Sequence, residues 1–474
     1  MFTKSKPPRL IPGSLGLGIG IAAAALGGLG LKYLGRKTIE KFSRSAIHTI
    51  MTDLYNENIW EFISATTRVG PQTIVEANMR AEEGKVVNRP LGTPRKFPSL
   101  DSLMFTFAQL AKLPTPGDVP IDTSVIIGKK AAKPMLLKTP IIVSGMAYGY
   151  ALSEKFKIAL AKGAAMAGTA TNTGEGPFLP KERKAAKYLI LQYNRGHWSK
   201  SIEILKQADA IEIQIGQGAI GGVAHTLSAN LLDKRLRAQF QVAPGEDAVV
   251  HSRQPGINSP KKLRQLVNEL REITEGVPIG VKMGAGKNLE HDLDLAVESG
   301  VDFIAVEGAE AATKGSPPIL QDDFGLPTVF TIARAGKFLA ESDVKDRVSL
   351  IAAGKLNTPG DFLKAIALGA DAVYIGTMAL FATAHTQVLK ALPFEPPTQV
   401  AWYDGKVQHK FNVEEGAKSL ARFINSCTAE IQEGIIALGK TSLHRVNKED
   451  LIALDPIVAE ATGVEPAYRP KSVY

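Results

Sequence analysis

Glu175 is the carboxylate of this chain whose neighbours most suggest chemistry. It stands in the polar run Thr171-Asn172-Thr173-Gly174-Glu175-Gly176. Gly174 and Gly176 let backbone N–H groups face a ligand. A carboxylate held there can bind an ammonium or imine, or act as an acid–base group; a loop carboxylate without a task is the plain alternative. Lys282, in Gly280-Val281-Lys282-Met283, is the second candidate. It closes a short apolar run, where an ammonium is costly unless it meets an anion or an acceptor. A structural ion pair would satisfy it equally. The third signal is a pair of glycine-containing turns, Ala353-Gly354-Lys355 and Ile375-Gly376-Thr377. Glycine lets backbone N–H groups approach a phosphate, a helix N-terminus favours the anion, and Lys355 adds charge. Ordinary strand-end turns are the competing explanation. Gln192 and Gln217 are neutral amides that suit either a ligand or a core partner. His225 and His251 have no metal-box spacing, so no metal site is expected. His251 with Ser252 and Arg253 is a candidate pocket lining.

These residues need a scaffold that gathers them. From Pro140 onward, short β-branched runs alternate with Ala/Leu/Lys-rich stretches, the pattern of a parallel sheet built from βα units. The candidate strands are Ile141–Ser144, Thr169–Asn172, Leu189–Tyr193, Ala210–Ile215, Ile279–Met283, Phe303–Glu307, Leu350–Ala353 and Ala372–Ile375. That number over roughly 250 residues fits a (β/α)8 TIM barrel, whose site lies at the C-terminal ends of the strands. Ser144-Gly145-Met146, Asn172 to Gly176, Gln192, Gln214 to Gln217, Lys282, Glu307-Gly308, Gly354-Lys355 and Gly376-Thr377 all fall at such ends. The barrel is expected over residues 136–392. A helical and Pro-rich irregular extension (41–135) precedes it, and a helical tail (393–474), amphipathic from Glu414 to Leu438, follows.

Leu10 to Leu31 carries no charge and is flanked by Lys4, Lys6 and Arg9 on one side and Lys32, Arg36, Lys37 and Lys41 on the other. About 20 apolar residues suffice to span a bilayer, so residues 1–40 are expected to form a membrane anchor with an N-terminal transmembrane helix. The larger downstream excess of Lys and Arg places the catalytic body on the cytoplasmic side of a single-pass cell-membrane protein. A cleaved signal peptide and a Gly-rich soluble helix are the alternatives. The chain is basic, with formal net charge +9, yet shows no nucleic-acid motif and no basic stripe interleaved with aromatics, so no nucleic-acid partner is expected. Its single cysteine, Cys427, excludes an internal disulfide and a cluster held by four thiolates of one chain. It reads as a core residue of the tail.

Together these motifs resemble the FMN-binding synthase domain of glutamate synthase, from about Pro140 to Leu380. Ser144-Gly145-Met146-Ala147-Tyr148-Gly149, Asn172-Thr173-Gly174-Glu175-Gly176 and Gln217-Gly218-Ala219 carry the resemblance, with Gly308, Glu310, Thr313, Ser316 and Pro317 echoing the sixth loop. The resemblance implies FMN, and reduced flavin delivering hydride to the imine of 2-oxoglutarate. It implies cofactor contacts from Ser144, Gly145, Met146, Asn172, Gln192, Lys282, Gly354, Lys355, Gly376 and Thr377, with Lys282 facing the flavin carbonyl side. It implies substrate contacts from Glu175, Gln214, Gln217 and Thr313, and catalysis by Lys282 and Glu175. Four departures accompany it. The family lysines that help bind a dicarboxylate are Gln214 and Ile220 here, leaving open a different amino-acid or carbonyl substrate. The Gly-Gly of the sixth loop is Ala311-Ala312. The iron–sulfur cysteines after the eighth strand are replaced by Ala382-Thr383-Ala384-His385-Thr386-Gln387, so no iron–sulfur cluster is expected and electrons come from ferredoxin or NAD(P)H outside. No amidotransferase domain is expected, so ammonia would come from solution or another subunit. A flavin-bearing membrane protein without catalysis is the non-enzyme alternative, and a homo-oligomer is left open.

Overall fold

The computed structural model describes residues 13–55 and 58–469, with side chains from residue 33 onward. They form two compact units, divided after Val87. The first unit contains the helices α1 (Gly13–Thr52), α2 (Trp60–Val69) and α3 (Pro71–Glu83). The expected membrane-crossing run Leu10–Leu31 lies outside the described side chains. Among the described residues no helix is long and apolar enough to cross a membrane.

The second unit is built on a closed barrel of eight parallel strands. They are β1 (Ile141–Val143), β2 (Ala170–Asn172), β3 (Tyr188–Tyr193), β4 (Ala210–Gln214), β5 (Ile279–Gly284), β6 (Phe303–Glu307), β7 (Ser349–Ala353) and β8 (Ala372–Ile375). Each strand pairs with the next, β4 pairs with β5, and β8 closes on β1. The expected strands and the observed ones differ by at most one residue at an end, and Phe303–Glu307 and Ala372–Ile375 agree at both. The reason they were legible is that these runs are buried on both faces and bounded by turns.

Alternation along the strands sorts side chains into two layers. Leu189, Leu191, Ile211, Ile213, Val281, Ile304, Val306 and Leu350 belong to an apolar cluster outside the barrel wall, under helices. The alternate residues, such as Ile190, Ala210, Phe303, Ala305 and Ile351, belong to a second cluster. Gly280 sits in this second register. A Cβ there would meet the Phe303 ring at 2.5 Å, so glycine is what lets that ring lie across the neighbouring strand. Toward the C-terminal strand ends the same register carries Asn172, Gln192, Glu212, Gln214, Lys282, Glu307 and Tyr374, every one buried.

The extensions cover the barrel's outside. Helix α4 (Glu154–Ala167) follows β1, and the amphipathic tail forms a long helix, Val413–Ala437, packed on it. Gly163 permits the close approach: a Cβ there would lie 2.8 Å from the Ala417 carbonyl oxygen. The Pro-rich segment contributes a strand, Leu103–Phe105, antiparallel to Leu451–Ala453 of the tail. A hairpin joins Val125–Ile127 to Met135–Leu137, and a second, His225–Leu227 with Ala248–Val250, follows β4.

Candidate active site

The turn carrying Glu175 is anchored from below. Lys157 of α4 is fully buried and donates to the carbonyls of Asn172 and Thr173 at 2.9 and 3.2 Å. Its ammonium also lies 2.9 Å from Glu182 Oε1, itself buried. Burial raises the Glu182 pKa, and Lys157 offsets this only in part. Gly174 has φ 66°, and a Cβ there would meet the backbone of Met146 and Ala147 at 2.7 to 2.8 Å. Glycine is therefore required for this turn to seat against the Ser144-Gly145-Met146 loop.

Glu175 is held from two sides. Its Oε1 lies 2.7 Å from His225 Nε2, and Gln214 Nε2 donates to Oε2 at 2.8 Å. Trp198 Nε1 donates to its carbonyl at 2.9 Å. Burial alone would raise the Glu175 pKa, but His225, Gln214 and Arg195 outweigh it and hold the carboxyl below its ordinary value. Burial likewise works against charge on His225, and Glu175 reverses that, holding the imidazole above its ordinary value. Each partner therefore favours the charged form of the other. Gln217 Oε1 accepts from Gln214 at 3.4 Å, which places Gln214 and Gln217 beside Glu175. No hydrogen bond joins Thr313 to them among the described residues. Thr313 lies in the loop after β6, where its carbonyl accepts the Leu91 N–H at 3.1 Å.

Within the barrel two buried carboxylates organise the polar residues. Glu212 accepts from Asn172 Nδ2 at 2.9 Å, Gln192 Nε2 at 2.8 Å and the Tyr374 hydroxyl at 2.6 Å. Glu307 lies 2.7 Å from Lys282 Nζ and accepts the Gly218 N–H at 2.9 Å. Burial opposes charge on Lys282, but Glu307 and Glu212 overcome it and hold the pKa above the ordinary lysine value. Lys282 thus has the ion pair that its position in a buried strand demands, with N–H donors to spare. Glu212, Tyr374, His225 and Arg195 entered none of the expected site roles. Glu212 had a signal, since it lies two residues before Gln214 and so on the same strand face.

The other end of the site suits a phosphate. Gly354 and Lys355 both have positive φ, 122° and 51°. The helix Thr377–Ala384 begins at Gly376 without a side-chain cap, and a Cβ on Gly376 would meet nothing nearer than Ser144 Cβ at 4.0 Å. Open backbone at a helix N-terminus between β1 and β8 fits an anion. Ser144 joins this end, its N–H donating to Ile375 O at 3.0 Å. The residues present therefore fit FMN: an uncapped, glycine-lined turn for its phosphate and spare Lys282 donors in the buried polar layer.

A closed parallel barrel with ionisable groups gathered at its strand ends has the layout of a barrel enzyme. The chain belongs to the glutamate synthase family: the family described as the conserved region in glutamate synthase matches residues 100–441. It is 33% identical over 401 residues to a glutamate synthase large subunit-like protein of Rhizobium meliloti (strain 1021), covering 81% of this chain and 90% of that one. It is 30% identical over 424 residues to the archaeal-type glutamate synthase [NADPH] of Thermotoga maritima, covering 84% and 83%. The chain is accordingly an oxidoreductase. A solved flavocytochrome b2 mutant with benzoylformate aligns at 16% identity and TM-score 0.49 over 79% of this chain and 80% of that one, a likeness too loose to speak for this site.

The Glu175–His225 pair makes stability depend on pH in a defined sense. His225, with its folded pKa raised above 6.5, contributes stability that is complete below that value and lost as pH climbs through the raised one. Glu175, lowered from 4.5, contributes above that value and loses it as pH falls through the lowered one. His225→Ala is therefore expected to cost more stability at about pH 6 than at about pH 9. Urea unfolding of both proteins at the two pH values checks this; an equal loss would mean that the pair is not ionised.

Proposed function

We propose that this chain is an FMN-dependent oxidoreductase of glutamate-synthase type, reducing the imine of 2-oxoglutarate to glutamate with electrons from ferredoxin or NAD(P)H. The observation that carries the reading is Glu175: a partly buried carboxylate, held below its ordinary pKa, in a barrel that belongs to this family and gripped by His225 and Gln214. FMN, when bound, supplies the hydride. Gly354, Lys355, Gly376 and Thr377 would hold its phosphate, and Ser144, Gly145, Met146, Asn172 and Gln192 would hold the rest of it. Lys282 offers positive charge there, its own position fixed by Glu307. Glu175 orients the substrate nitrogen, and the proton shared with His225 at Nε2 is the one available for transfer. The test is an absorbance spectrum of the purified protein, followed by anaerobic titration with NADPH, NADH and reduced ferredoxin. Flavin bands that bleach with one donor, and recover on adding 2-oxoglutarate with ammonium, would support the reading. A protein that neither carries nor takes up FMN would end it.

A different amino-acid or carbonyl substrate is favoured by one observation. Gln214 and Ile220 stand where the resemblance implies lysines, and Gln214 spends its amide on Glu175. On that reading wild type turns over 2-oxoglutarate poorly and Gln214→Lys with Ile220→Lys gains turnover; loss in the double variant would speak for the native arrangement. We further propose that residues 1–40 anchor the protein in the cell membrane with the barrel cytoplasmic. Resistance of the membrane-bound protein to carbonate extraction, abolished by deleting residues 1–40, is the expected result.

A further inference from the structure

Arg195 is the most conspicuous charge of this molecule that the proposed reaction does not use. It follows β3 in Asn194-Arg195-Gly196 and is 0% exposed. Among the described residues its guanidinium forms no ion pair and one long hydrogen bond, from Nη1 to Ser252 O at 3.4 Å. Nε and Nη2 are buried with no partner. An arginine cannot escape this by losing its proton, and an unpaired buried charge is strongly destabilising. The local backbone nevertheless keeps it there. Gly196 is required beneath the Trp198 ring, which a Cβ would meet at 2.3 Å, and Gly222 packs on the Nη1 side, where a Cβ would lie 3.8 Å from Nη1 and 3.2 Å from Ser252 O.

The surroundings say what is missing. Glu175 is the carboxylate whose charge reaches Arg195, but both of its oxygens are already engaged by His225 and Gln214. Other buried groups are also unsatisfied: Nδ2 of Asn194, the preceding residue, Oε1 of Gln254, whose amide donates to Tyr193 O, and Oε1 of Gln214, whose amide donates to Glu175. The Gln214 amide is oriented by its donation to Glu175, so its oxygen is a true acceptor. The cluster therefore offers a free planar cation, whose forked N–H groups match a carboxylate, and a free acceptor suited to an N–H group. Glu175 links the two.

We propose that Arg195 binds the carboxylate of the substrate, an amino or imino acid whose nitrogen faces Gln214 Oε1 and Glu175. The assignment rests on the reading of the barrel as an amino-acid-forming oxidoreductase, and it supplies the cation that Gln214 and Ile220 do not. Arg195 is then the specificity-determining residue for an acidic substrate, and its stability cost in the free protein is offset when the substrate's anion arrives.

Titration calorimetry of the full-length protein with 2-oxoglutarate, pyruvate and acetate tests it, on wild type, Arg195→Lys and Arg195→Gln. At least one carboxylate should bind wild type, roughly 30-fold or more weaker to Arg195→Gln, with Arg195→Lys between. Arg195→Gln should melt no lower than wild type, because an uncompensated charge has been removed. Equal carboxylate binding by the two proteins would overturn the proposal. So would a wild type that binds none of the three, or an Arg195→Gln protein that melts well below wild type, which is the sign of a structural role. Arg195-dependent binding of pyruvate or acetate without 2-oxoglutarate would uphold Arg195 while removing 2-oxoglutarate as the substrate, so the two readings fail separately.

Discussion

Glu175→Gln is expected to lower turnover by about 10²- to 10⁴-fold, the range seen when a positioned acid–base group is lost. The substitution keeps the shape of the side chain and its hydrogen-bonding reach, so the fold has no reason to change. What it removes is charge. The carboxylate is ionised because His225, at 2.7 Å, and Gln214, at 2.8 Å, outweigh its burial. Without it, His225 keeps the burial that works against its charge and loses the partner that reversed it. The imidazole pKa then falls, because burial is no longer outweighed by the Glu175 charge. A single substitution therefore disables both members of the pair. The pH–rate profile should report this as well as the rate: the limb belonging to the imidazolium, above 6.5 in wild type, should move to lower pH in the residual activity. Steady-state rates from about pH 5 to 9, with the donor identified by flavin bleaching, decide it. A variant within a few-fold of wild type at every pH would show that Glu175 neither positions nor protonates anything, and His225→Ala should then be equally silent.

The sequence disclosed the barrel more fully than it disclosed the site, for a physical reason. Strands such as Ala210–Gln214 and Phe303–Glu307 are short, buried on both faces and closed by turns, all of which is local information. The glycine positions around Asn172 to Gly176 were also legible, because a tight turn restricts residue type at the turn itself. Ion pairing is not local. His225 meets Glu175 across 50 residues because a hairpin carries it back over the strand ends. Lys282 could be recognised as needing an anion, but that its anion is Glu307 on the next strand follows only from the register in which Gly284 pairs with Glu307. Asn172 and Gln192 were expected to serve a cofactor. They also bind Glu212, a buried carboxylate that needs three donors and could not have been buried without them. Arg195 had no sequence signal beyond its charge, since an unpaired arginine looks like a paired one until its surroundings are known.

That dependence of the motif on distant partners leads to the second large effect. Lys157→Met is expected to destabilise the protein by about 3–5 kcal/mol, the cost of breaking a fully buried ion pair from one side. The lysine is 0% exposed and Glu182 1%. Methionine fills a similar volume without the charge, so little of the loss would come from a cavity. Glu182 would be left in a site whose burial already pushes its pKa upward. The carbonyls of Asn172 and Thr173 would lose their donor. This second loss is the one that touches function, because those carbonyls belong to the turn that presents Glu175. Adding Glu182→Leu to Lys157→Met removes the orphaned carboxylate and should restore most of the stability, yet it cannot restore the donor to the turn. The double variant is therefore expected to unfold at nearly the wild-type urea concentration while remaining impaired in turnover. Urea unfolding of the three proteins beside their rates separates the two contributions. If the double variant regained both, the turn would hold its shape without Lys157, and the ion pair would serve only the packing of α4 against the barrel.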